Sequence, residues 1–150
     1  MTRADQGPET TLRLTRTFAA RRERVFRAWT DPEELMRWFG PSDEYAVPHA
    51  EVDLRVGGKY RIELKTPSGR LLAAVGTYRE VRPPERLVFT WSWTGTETDP
   101  AETLVTVELH DRGGSTELAL THERFPNKAE RDGHATGWSG SLERLGRRLP

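Results

Sequence analysis

The residues that offer chemistry in this chain are mostly aromatic. Trp38, Phe39, Tyr60, Phe89, Trp91, Trp93 and Trp138 fall where the local pattern turns them inward, and they include four of the five tryptophans. Tryptophan is awkward to bury unless its indole N–H finds an acceptor. Such a concentration therefore favours the wall of a cavity, mostly apolar with a few placed polar groups, over a solid aromatic core. The chemistry expected of it is the holding of an apolar or aromatic small molecule. His122 is the foremost polar candidate. It is in phase with Leu118 and Leu120, so it points inward, either as a core histidine satisfied by a neighbour or as a ligand contact. Were the cavity to run a reaction, His122 would act as general acid/base and Tyr60 as hydrogen-bond donor. His134, close to Trp138, faces the pocket mouth or solvent, and His49 and His110 hold ordinary loop and strand positions.

Other chemistries find no support. The chain has no cysteine, which removes disulfides, thiol nucleophiles and Cys-ligated metals. No histidine pair has the HExxH spacing of a zinc hydrolase, and neither GxxxxGK[ST] nor GxGxxG occurs. The run Gly137-Trp138-Ser139-Gly140-Ser141 has the pattern of a helix and not of a strand-to-helix nucleophile elbow. No metal and no cofactor is expected. Lys+Arg and Asp+Glu balance at 23 each, so neither a nucleic acid nor a membrane surface is an expected partner. No apolar run approaches the roughly 20 residues of a membrane span. The opening MTRADQGPETT lacks the apolar segment of a signal peptide, and a cytoplasmic location is expected. A homodimer is left open.

The elements that position these residues follow from periodicity. Ala135, Trp138, Leu142, Leu145 and Leu149 recur at steps of three and four, which predicts an amphipathic helix over about 130–149. Glu143, Arg144, Arg147 and Arg148 take its opposite face, expected to be solvated. Gly133, Gly137, Gly140 and Gly146 also lie in that helix, each at a cost of about 1 kcal/mol against Ala. Close approach to a sheet or a pocket at Gly137 is the expected compensation. Upstream, residues 1–10 read as a flexible tail and 11–150 as a single domain. Thr11 to Phe18 alternates as a strand. Val25, Phe26 and Trp29 mark a short helix. Asp31-Pro32 caps a second, which carries Leu35, Trp38 and Phe39 and stops at Gly40-Pro41. Tyr45 to Leu54 is extended but broken by Pro48. Asp53, Arg55, Gly57 and Gly58 form a turn, with the acid and base bonding the turn or each other. Strands follow at Tyr60–Lys65, at Leu71–Val81 (register unsettled around Gly76), at Leu87–Trp93, at Val105–Leu109 and at Leu118–His122, with a polar loop from Gly95 to Glu102. Asn127 and Glu130 have capping-box spacing. Consecutive strands with tight turns, followed by a separate helix, predict an α+β domain on an antiparallel sheet of about seven strands.

The chain also resembles a known family over nearly its whole length. The segments are FAARRERVFRAWTDPEEL at 18–35, RWFGP at 37–41, DLRVGGKY at 53–60, VRPPERLVFTW at 81–91, TELALTH at 116–122 and HATGW at 134–138. In this order they resemble homologues of the heat-shock protein 90 ATPase activator, within the START-like (SRPBCC, polyketide cyclase/dehydrase-like) superfamily. The resemblance implies a helix-grip fold: a curved antiparallel sheet wrapped around a long C-terminal helix, with two short helices after strand one and a cavity between sheet and helix. That superfamily includes lipid carriers, hormone binders and aromatic cyclases. The expected function is thus small-molecule binding by Trp38, Phe39, Tyr60, Phe89, Trp91, Trp93, His122 and Trp138. A cyclase- or hydrolase-type enzyme, or a chaperone-interaction module linked to stress response, are the alternatives.

Overall fold

Period-two alternation builds the sheet. The computed structural model describes residues 9–94 and 101–149. It has seven strands: β1 (Thr11–Phe18), β2 (Ala50–Val52), β3 (Lys59–Lys65), β4 (Leu71–Arg82), β5 (Arg86–Thr94), β6 (Thr103–Asp111) and β7 (Thr116–Glu123). They form one sheet in the order β1-β7-β6-β5-β4-β3-β2, antiparallel throughout. Helices α1 (Arg22–Thr30) and α2 (Pro32–Trp38) lie between β1 and β2, and α3 (Lys128–Arg148) follows β7. This is the α+β antiparallel architecture expected from the pattern, arranged as the helix-grip fold that the resemblance implies. Residues 1–8 of the expected tail and 95–100 of the expected polar loop lie outside the described residues. Thr10 lies inside them, and its carbonyl accepts from the Phe125 N–H at 3.2 Å.

Local chemistry sets the element ends. The Asp31 carboxylate accepts from the Glu33 N–H at 2.9 Å, with Pro32 opening α2. The Asn127 side chain accepts from the Glu130 N–H at 2.9 Å and starts α3. Pro48, which has no N–H to give a ladder, divides the segment before β3. An Ala46↔Lys65 bridge lies on one side of it and β2 on the other. In the turn before β3, Arg55 Nε donates to both oxygens of Asp53, at 3.0 and 2.9 Å.

Gly76 explains why the pattern of β4 was ambiguous. It pairs with Tyr60, and a Cβ there would lie 1.8 Å from the Thr90 carbonyl oxygen and 2.7 Å from the Tyr60 hydroxyl. The missing side chain lets Tyr60 Oη donate to Thr90 O at 2.6 Å. Beside it the Thr77 N–H donates to Thr90 Oγ1 at 2.9 Å. These side-chain bonds sit between the regular pairs Val75↔Ser92 and Tyr78↔Phe89, and a register shift follows between Tyr78 and Glu80.

Helix α3 buries Trp138, Ser141, Leu142 and Leu145 against the sheet. Its supposedly solvated face is partly engaged. Arg144 donates to Asp43 Oδ1 at 3.1 Å and to the Phe39 carbonyl at 3.0 Å, and Arg147 donates to Asp43 Oδ2 at 3.2 Å. The hydrogen bond and charge of Arg147, with Arg144 adding to them, hold the Asp43 carboxyl below its usual range. The four glycines of the helix divide into two pairs. A Cβ at Gly140 would lie 2.0 Å from the Pro41 carbonyl oxygen, and one at Gly146 would lie 2.8 Å from the Arg16 guanidinium. At Gly133 and Gly137 it would meet nothing within 4 Å. Tight packing is therefore a property of Gly140, against backbone that cannot step aside, while Gly137 stands against the open space beside Trp138, the pocket alternative of the expectation.

The two pairs give opposite signs on alanine substitution. Gly137→Ala gains up to about 1 kcal/mol from helix propensity. Gly140→Ala loses about 1–3 kcal/mol, because forcing an atom into packed structure outweighs that gain. Chemical denaturation of the two variants beside the wild type checks this, and equal shifts would refute it.

Candidate functional site

A pocket of about 310 Å³ opens between the N-terminal half of α3, the inner face of β5 and the loop that follows α2. Alternation along β5 turns Trp91 and Trp93 to the same face, and α3 brings Trp138 opposite them. The Trp91 and Trp138 rings are 5.1 Å apart, and Trp91 meets Trp93 edge to face at 5.4 Å. Phe39, Pro41 and Tyr45 form the loop wall, and Leu64 and Leu72 come from β3 and β4. Gly133 and Gly137, one turn apart on α3, border the same space. A side chain on either would project into it, which is the physical reason that two helix-weakening residues sit there.

Of the residues singled out from sequence, Phe39, Trp91, Trp93 and Trp138 border this pocket. Trp38, Tyr60, Phe89 and His122 do not. Trp38 is buried behind the loop, with its indole N–H on the Ala28 carbonyl at 2.9 Å. Tyr60 and Phe89 border a separate cavity of about 20 Å³, which shares Phe39, Trp91 and Trp138 with the pocket. It has room for roughly one water. Trp29 and Trp91, whose indole N–H groups have no partner among the described residues, also face onto it. Burial drives the Tyr60 phenol well above its ordinary pKa, and its one proton is held by Thr90.

His122 is 0% exposed and fully engaged. Trp138 Nε1 donates to its Nδ1 at 3.0 Å. An indole nitrogen only donates, so the ring proton of the neutral imidazole sits on Nε2. That proton goes to Thr103 Oγ1, 2.7 Å away, and Thr103 passes its own to the Trp91 carbonyl at 3.1 Å. Burial is the main cause that lowers the His122 pKa well below the usual value, with the neighbouring His134 adding to it. Protonation would set an Nδ1–H against the Trp138 N–H. His122 is thus the satisfied core histidine, and neither it nor Tyr60 offers a free group to a substrate in the pocket.

The pocket histidine is instead His134. Its Nε2 accepts from Trp93 Nε1 at 3.0 Å, and its Nδ1 donates to the Glu130 carbonyl at 2.8 Å. Ser141 was missed from the sequence although it stands three residues after Trp138 on the same helix face. It is 4% exposed, borders the pocket, and its hydroxyl has no partner among the described residues.

A curved antiparallel sheet gripping a C-terminal helix over an aromatic pocket defines the START-like class. The family model for the activator of Hsp90 ATPase homolog 1-like protein matches residues 19–149, and the chain belongs to that family. A Chromobacterium violaceum protein has the same fold with a TM-score of 0.84 at 30% identity, over 93% of this chain and 96% of its own. A Silicibacter pomeroyi family member superposes with a TM-score of 0.81 at 28% identity, over 93% and 96% of the two chains. An Hsp90 activator from Plasmodium falciparum is 31% identical over 80% of this chain and 78% of its own, with a TM-score of 0.59. No curated protein matches the chain.

The His122 arrangement makes stability depend on pH. Its pKa is lower in the folded state, so above about pH 6.5 both states carry a neutral ring and the contribution is fully present. As pH falls below that value the unfolded chain takes up the proton first and stability declines, by up to about 1.4 kcal/mol per pH unit from this group. Urea denaturation between pH 7 and pH 5 should show that decline in the wild type. In His122→Asn, which keeps an acceptor for Trp138, it should be shallower, and parallel slopes would contradict the assignment.

Proposed function

We propose that this protein is a small-molecule carrier or sensor that holds a mostly apolar, ring-bearing ligand in the pocket walled by Trp91, Trp93 and Trp138. The observation that carries the reading is the pairing of large aromatic walls with two side-chain-free helical positions, Gly133 and Gly137, that keep the space open. A helix that gives up propensity at those positions without gaining contact has another reason to keep them bare. The polar residues among the described lining are few: Ser141, His134 and Glu130 on α3, and Tyr45 and Thr66 across from them. A ligand that carries an unpaired charge into the interior would be penalised, so it presents one or two polar atoms at most.

A second reading, contact with a chaperone, draws on the likeness to the Plasmodium Hsp90 activator. It would use the outer surface and be indifferent to what fills the pocket.

The test is a titration of purified protein with a panel of neutral aromatic compounds, followed by calorimetry and tryptophan emission. Trp91→Ala should weaken binding by about 1–3 kcal/mol, the range for losing a buried aromatic contact. Gly137→Leu should abolish binding while the protein remains folded. Unchanged affinity in both variants would place any ligand elsewhere. Capture of purified Hsp90 at full strength by Gly137→Leu, with no small molecule bound by the wild type, would favour the second reading.

A further inference from the structure

The pocket's charge distribution narrows the ligand class. Among the described residues no lysine or arginine borders it, and the one carboxylate that does is that of Glu130, in the first turn of α3. Arg144 reaches the loop that walls the pocket, but its guanidinium is spent on Asp43 and on the Phe39 and Gly40 carbonyls. His134 offers no proton inward, since its N–H is given to the Glu130 carbonyl and its other nitrogen accepts from Trp93. The Glu130 carboxylate itself has no hydrogen bond or ion pair among the described residues, although Lys128 and Arg131 nearby pair with Asp132. Ser141, itself 4% exposed, also borders the pocket, and its hydroxyl has no hydrogen-bond partner among the described residues.

An acid entering this site would lose hydration with no counter-charge and would meet Glu130 on the way. An ammonium group meets the reverse: an unpaired carboxylate beside indole rings, whose faces attract cations. Building on the proposed ligand role, we infer that the pocket takes a compact aromatic amine. Its ring system lies among Trp91, Trp93 and Trp138, its ammonium group stands at Glu130, and the Ser141 hydroxyl is free to bond one further polar atom. Fatty acids and other carboxylates are excluded as ligands.

Three probes that share one ring separate the possibilities: naphthylmethylammonium, naphthylmethanol and naphthoate, titrated calorimetrically into the full chain at pH 7. The ammonium compound should bind about three- to fivefold tighter than the alcohol, as expected for one solvent-accessible ion pair with some cation–π attraction. Naphthoate should bind at least roughly tenfold more weakly than the alcohol. In Glu130→Gln the ammonium advantage should vanish while the affinity for the alcohol stays within about twofold. Naphthoate binding as tightly as the alcohol, or an ammonium preference that survives Glu130→Gln, would overturn the charge assignment and leave the ligand role standing. Lack of binding by all three, including the alcohol, would overturn both.

Discussion

A line of hydrogen bonds through the core ties the gripping sheet to the gripped helix. It starts at the Trp138 indole on α3, passes through both nitrogens of His122 on β7, then through the Thr103 hydroxyl on β6, and ends at the Trp91 carbonyl on β5. Each donor in the line has one acceptor, so the tautomer of His122 and the rotamers of its neighbours are settled together. A buried neutral hydrogen bond contributes only about 0.5–1.5 kcal/mol net, but an orphaned group in the same place costs about 1–3 kcal/mol. The line is therefore held less by the strength of any bond than by the penalty for breaking one. Trp91 and Trp138, its two ends, are also two walls of the pocket, so core and site are the same construction.

The loop after α2 is fixed by a different kind of contact. Gly140 lets the helix backbone lie against the Pro41 carbonyl, and Arg144 then reaches over to the Phe39 and Gly40 carbonyls and Asp43. Gly40 itself has φ +115, a conformation that L side chains rarely adopt. A small residue, a positive φ and a guanidinium fork thus place Phe39 and Pro41 at the pocket edge. The glycine content of α3, which weakens the helix taken alone, is used once to bring the loop in and once, at Gly133 and Gly137, to keep it from closing the space.

Much of the architecture was legible in the sequence because it is periodic or local. The two-residue alternation of β3 and β5, the three-four spacing of α3, and the caps at Asp31 and Asn127 all depend on neighbours within a few positions. The site was half legible. Phe39, Trp91, Trp93 and Trp138 could be placed by phase alone. Phase gives the face on which a side chain lies but not what stands in front of it. For that reason His122 and Tyr60 were equally inward and yet are screened from the pocket, His122 joined to Thr103 and Trp138 and Tyr60 to Thr90. Gly137 and Gly140 look alike in sequence, and only the position of Pro41 distinguishes them. Ser141 was overlooked since a lone serine in a helix carries no signal until its partners are known to be missing.

A pocket walled by so many aromatic rings would be expected to collapse, because burying them against one another is favourable. It stays open because the walls are anchored from behind. Trp138 is held by His122, Trp93 by His134, and the loop that carries Phe39 by Arg144. Closing the gap would pull at least one of these rings off its partner and leave a buried N–H unmatched. Preorganisation of this sort removes part of the ordering cost that a ligand would otherwise bear. It also confines variation to the bare edge of α3, where a change at Gly133 or Gly137 alters the shape of the space without touching the bonds that support its walls.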